Sequence, residues 1–259
     1  MSIRAADLFR GLSVPVRAKI AKEKINRVID HLHYLLALHE NNKIVLYSST
    51  LSSQIPTSHA ANAFNVFQRG LHQFEIVRLC ALWDVAAEEK ENIPTIIELI
   101  DHDDVIENLA QETASYWASD GGYILNPSAD VNARAVEIDM LKLSNESFGK
   151  EEADRARIEL RKAIADTRTI LGSPLLQGIM NLRDKHLAHS LSQTRREKIG
   201  PVGAMKFRDE GEVLNATVAI VEALHCWVYG SSFSLEDSRE IDRQNAEALW
   251  KACTFNIAT

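Results

Sequence analysis

The sequence predicts an all-α protein, a helical bundle of about six or seven helices. Three observations carry this. Apolar residues recur every three to four positions through most of the long segments. No segment shows the two-residue alternation of a half-buried strand. Helix start signals also precede apolar runs. The clearest is Ser173-Pro174 ahead of Leu175, Leu176, Ile179 and Met180, a capping hydroxyl followed by proline at the first helical position. With 259 residues, 46% of them hydrophobic, the chain can bury a sizeable core. No Pro/Gly/Ser-rich linker divides it, so a single domain over residues 1–259 is expected.

Residues 2–16 are mixed and read as irregular, with a short helix around 5–10. A helix over 17–41 follows, with Ile20, Ile25, Val28, Ile29, Leu32, Leu35, Leu36 and Leu38 as a broad apolar face. It is expected to pack on a core spanning about 58–255. Residues 48–58 form a polar loop in which Ile55-Pro56 disfavours helix. A long helix over 58–89 places Phe64, Phe67, Leu71, Phe74 and Leu82 on one stripe, together with Arg78. A third helix spans 94–117. Its run Asp101, His102, Asp103, Asp104 reads as a solvated face or a short break, because adjacent helical positions point apart and make poor metal ligands. Residues 119–122 and 125–132 are loops. Helices over 133–144 and 150–171 follow, and Gly172 stops the second. The helix from Pro174 runs to about His189, a loop covers 191–211, and helices over 212–229 and 234–252 close the chain. Ser234 is the expected cap of the last, with Asp237 at the capping-box acid position.

Composition narrows the function classes. A net charge of −7 argues against a general nucleic-acid coat protein. Cys80, Cys226 and Cys253 lie far apart with no C-x-x-C pair, so neither a disulfide framework nor a zinc site is expected, and a reducing cytoplasm is. The start of the chain lacks a signal-peptide apolar core, and the most apolar helix contains Glu222 and His225, so no membrane association is expected.

The chemistry-bearing stretch is Leu182-Arg183-Asp184-Lys185-His186-Leu187-Ala188-His189-Ser190. At roughly 100° per residue Arg183 falls near the centre of the apolar stripe of its helix, with His186 on the stripe and His189 at its edge. A cation on a buried face is costly unless paired. Either a carboxylate from another helix meets Arg183, or the stripe opens onto a cleft. The segment that follows carries Arg195, Arg196, Lys198, Lys206 and Arg208. Residues 183–208 thus hold about +5 charges within a chain of −7, a candidate phosphate-attracting patch against the alternative of an ordinary solvated loop.

Arg183-Asp184 followed by His189, with five residues between Arg and His, resembles the signature of the HEPN superfamily (higher eukaryotes and prokaryotes nucleotide-binding domains). The spelling Leu-Arg-Asp-Lys-His-Leu-Ala-His-Ser is similar to its abortive-infection U-type branch, as is Trp83-Asp84 followed by a polar stretch and Asn92-Ile93-Pro94-Thr95. Arg27 and His33 repeat the spacing, but Val28 stands where the polar residue belongs. The resemblance implies an HEPN-like bundle. It also implies a metal-independent ribonuclease of a prokaryotic anti-phage or toxin system, without cofactor. His189 would be base or acid, Arg183 would clamp the phosphate, and Asp184 would orient His189 or its partner. His186, Lys185 and Arg78 are secondary candidates. One signature histidine per chain, where cleavage wants both a base and an acid, suits a homodimer with two motifs face to face. Other HEPN domains are non-catalytic interaction modules, and others are toxins held by a nucleotidyltransferase-type antitoxin, so a partner protein is a further expectation.

Overall fold

The computed structural model describes residues 8–119 and 131–256. The expected loops at 119–122 and 125–132 and the short helix at 5–10 fall largely outside these; residues 8–11 form a turn. Every regular element among the described residues is helical. In order they are α1 (Val14–Tyr47), α2 (Ser49–Ser53), α3 (His59–Leu82), α4 (Ile93–Ile100), α5 (Asp103–Ala118), α6 (Val131–Gly172), α7 (Pro174–Leu182), a π-helical turn (Arg183–Leu187), α8 (Arg195–Ile199), α9 (Asp209–Tyr229) and α10 (Glu236–Ala252). The all-α class therefore holds. Among the described residues eight helices are of seven residues or more, against the six or seven expected.

α1 is the central pillar. Ala18, Ala21, Ile25, Val28, Leu32, Leu35, Leu36 and Val45 form one fully buried face at helical spacing, against which α3, α4, α5, α9 and α10 pack. One contiguous apolar cluster joins that face to buried residues of α3, α4, α5, α6, α7 and α9. α4 is apolar at every position but Thr95 and Glu98, and all of it except Glu98 is buried. Its C-terminal carbonyls are held by α1, where buried Arg17 donates to Leu99 O (2.9 Å) and Glu98 O (2.7 Å). No helix among the described residues is long and apolar enough to cross a membrane.

Several boundaries differ from the sequence reading. α3 stops at Leu82 instead of continuing to 89. Trp83 is buried there and donates its indole N–H to Thr217 Oγ1 (2.9 Å), and the chain turns away. The 94–117 segment is two helices, broken at Asp101-His102. The acidic run then faces α6, with Arg168 on Asp101, Arg161 on Asp103 (2.9 Å) and Arg157 on Glu107 (2.8 Å). The two helices expected over 133–144 and 150–171 are one 42-residue helix. α1 runs from 14 to 47 where 17–41 was expected. The polar loop at 48–58 contains the short α2, and the 191–211 loop contains α8. Ser234 Oγ accepts from Glu236 N, Leu235 occupies the cap of α10, and the expected capping box with Asp237 does not form.

Candidate functional site

α7 starts as the sequence requires. Ser173 Oγ accepts from Leu176 N (3.2 Å), Pro174 fills the first turn, and Leu176, Ile179 and Met180 enter the core. Gly178 is set by packing, since a Cβ there would lie 3.0 Å from Gly203 O. At Arg183 the helix widens. Ala188 N donates to Arg183 O (2.8 Å), five residues back instead of four, and Leu191 N then reaches Lys185 O (3.0 Å). The projection of regular helix to His189 fails at this point. His189 lies beyond the turn in a solvent-exposed segment, and His186, expected on the apolar stripe, is exposed as well. Neither makes a hydrogen bond or ion pair with the described residues.

Arg183 stays inside, with 15% of its side chain exposed. Its Nη1 donates to Asp84 Oδ1 (2.7 Å), while Nε and Nη2 both donate to Asp184 Oδ1 (2.9 and 2.7 Å). Burial works against its charge, and the bonds to the two aspartates more than offset that, so its pKa lies above the ordinary value. Asp184 is shared, because Arg196 Nη1 binds its second oxygen and Arg196 Nε donates to Gln177 Oε1 (2.8 Å). Asp184 therefore holds Arg183 and Arg196 side by side and does not reach His189.

Asp84 is the carboxylate from another element that the buried position of Arg183 called for, 99 residues away in sequence. Its segment, between α3 and α4, is tied down at several points. Asn92 Nδ2 donates to Asp84 O (3.0 Å), and Lys24 of α1 donates to Glu88 O and Lys90 O (both 2.8 Å). Lys90 Nζ stands 3.6 Å from Asp84 Oδ2. Cys80 lies fully buried within the field of this cluster. Burial pushes its thiol up to about 12, against the pull of Arg183.

The other candidates divide. Lys185 donates to Glu197 Oε1 (2.8 Å), tying the π turn to α8. α8 carries a complete capping box between Thr194 and Glu197, and buried Thr194 also donates to Asn181 of α7. Lys185, the Thr194 backbone and Asn181 together hold the Glu197 carboxyl down at about 2. Arg195 and Lys198 are exposed on α8 and make no ion pair with the described residues. Lys206 is exposed, and Arg208, at φ +75°, lies over the rings of Phe207 and Tyr47. Arg78 is elsewhere, 4.9 Å from the Tyr34 ring and 5.1 Å from the Phe74 ring. Arg27, of the second spacing match, pairs with Glu91. Among the described residues no group of three or more His, Cys, Asp or Glu is placed to hold a metal ion.

Sequence reasoning missed Asp84 as a site residue, along with Asn181, Gln177, Thr194 and Glu197. In the sequence Trp83-Asp84 carries part of the family resemblance and no chemical role. A family model described as AbiU2, of the HEPN class, matches residues 22–249. Comparison with curated proteins and with solved structures returned no match.

Proposed function

The chain belongs to the AbiU2 family of HEPN domains, and from that premise we propose that it is a metal-independent ribonuclease of a prokaryotic abortive-infection or toxin system. The observation that carries the reading is the part-buried, carboxylate-oriented Arg183 close to the exposed cations of α8, with exposed and unpartnered His186 and His189 a few residues on. In RNA the 2′-oxygen attacks phosphorus as the P–O5′ bond breaks, leaving a 2′,3′-cyclic phosphate. His189 takes the 2′ proton or gives one to the departing 5′-oxygen. Arg183 keeps two of its five N–H donors free of Asp84 and Asp184, enough to meet phosphoryl oxygens that gain charge in the transition state. Arg195 and Lys198 attract the strand. A homodimer that sets the 174–189 segments face to face supplies the second histidine, and RNA and a controlling antitoxin or defence partner complete the expected interactions.

The same knot favours a second reading. A guanidinium bound by two carboxylates is also how a non-catalytic helical module would fasten the segment after α3 to the π turn. An RNA-cleavage assay with and without EDTA, on wild type and His189→Ala, separates them. The ribonuclease reading expects cyclic-phosphate products, indifference to EDTA, and a loss of about 10²–10⁴-fold in the variant. Wild-type protein that binds RNA or a partner protein and never cuts leaves the module.

A further inference from the structure

Beside Arg196 lies an open groove of about 350 Å³. Pro174 and Gln177 of α7, Arg196 and Ile199 of α8, and the segment 200–203 line it, with Gly172 at the end of α6. Three of its lining residues, Gly172, Gly200 and Gly203, are glycines that neither backbone nor packing demands. None has a positive φ, and a Cβ on any of them would meet nothing within 4 Å. Gly178, one layer beneath, is the contrast, since there a Cβ meets backbone. At all three the space beside the backbone is open.

We infer that this groove is a nucleobase subsite, which seats one base of a single-stranded RNA whose phosphate lies at Arg183. The inference rests on the ribonuclease reading for its phosphate and on the groove for its base. The volume is at the small end for ligand sites, right for one ring system. The walls offer flat faces, the Arg196 guanidinium and the rings of Pro174 and Pro201, although no aromatic ring lines the groove. Gln177 supplies a fixed polar edge. Its Oε1 accepts from Arg196 Nε and its Nε2 donates to Leu171 O, both at 2.8 Å, which immobilises the amide and leaves one N–H for a base acceptor. Ile199, 91% exposed, gives the mouth an apolar rim. Arg196 joins groove to site, touching Gln177 with one nitrogen and Asp184, the carboxylate of Arg183, with another. Base and phosphate of one nucleotide thus meet two arginines held by one aspartate.

The test is calorimetric binding of the four nucleoside 5′-monophosphates and of ribose 5-phosphate to the full-length protein. At least one nucleotide is expected to bind roughly five- to tenfold tighter than ribose 5-phosphate. Gly200→Val, at an extended residue (φ −179°) that accepts a branched side chain, should erase that difference and leave ribose 5-phosphate binding as it was. Ile199→Ser, at a side chain whose loss cannot harm the core, should reduce it. Equal affinity for all five ligands, or a base-dependent advantage that survives both variants, overturns the subsite. Base-dependent binding in a protein that cuts no RNA overturns the ribonuclease reading alone. RNA cleavage with ligand affinities that ignore the base overturns the subsite alone.

Discussion

At the scale of single residues, Arg183 and His189 make very different mutational probes. Arg183 donates three hydrogen bonds from a largely buried position. In Arg183→Ala, Asp184 keeps Arg196 and Asp84 keeps the more distant Lys90, so neither carboxylate is fully orphaned. The cost should therefore sit near the lower end for charged pairs, about 2 kcal/mol, read as a fall in Tm of about 4–8 °C. His189→Ala, at an exposed and unpartnered side chain, should change stability by less than about 0.5 kcal/mol. Only His189 gives a clean separation of chemistry from folding. The need for a partner to Arg183 was legible in the helical periodicity around it. Asp84 was not, because nothing local marks a contact across 99 residues. The exposure of His186 and His189 was equally hidden, since a projection at 3.6 residues per turn cannot foresee the widened turn at Arg183.

Among the elements, α7 was the most legible, because Ser173 and Pro174 mark its start chemically. α8 was missed, although Thr194 and Glu197 spell a capping box, because five residues between a polar loop and Gly200 offer no periodicity to read. Its attachment has a titration signature. The folded Glu197 pKa is depressed to about 2 from an ordinary 4.5. The contribution of its bonds is therefore complete above about 4.5 and is lost as pH falls through that value toward 2. Amide hydrogen exchange should show protection of residues 195–199 holding at pH 6 and weakening below pH 4.5, after correction for intrinsic rates. In Glu197→Gln the protection should be lower and nearly independent of pH over the same range.

For the molecule as a whole, the charge is divided. Residues 183–208 carry about +5 while the remainder of the chain carries about −12. Of the seven Lys and Arg residues in that window, three are already held in ion pairs, Arg183 and Arg196 with Asp184 and Lys185 with Glu197. The cations left to meet a polyanion are few, so RNA affinity should depend only mildly on salt. Each of Arg195 and Lys198, if it contacts one phosphate, contributes about 0.7 to the slope of log K against log salt. Arg195→Ala should flatten the slope by roughly that amount, and a slope unchanged by Arg195→Ala and Lys198→Ala together would remove α8 from the RNA path.

Cys80 turns the Arg183 cluster into something that can be clocked. A thiol pushed up to about 12 and fully enclosed reacts with a disulfide reagent only during the moments when its surroundings part. Cys226 and Cys253 are partly exposed and should be labelled first, leaving a slow third phase. The rate of that phase counts how often the contact between the end of α3 and the π turn comes undone. Asp84→Asn, which weakens one strand of the contact while keeping its shape, should accelerate the slow phase by about tenfold, in line with losing roughly 1.4 kcal/mol from a charge-assisted bond. If the slow phase instead keeps its wild-type rate while global stability falls, the enclosure of Cys80 is governed by the core beneath it and not by the arginine above.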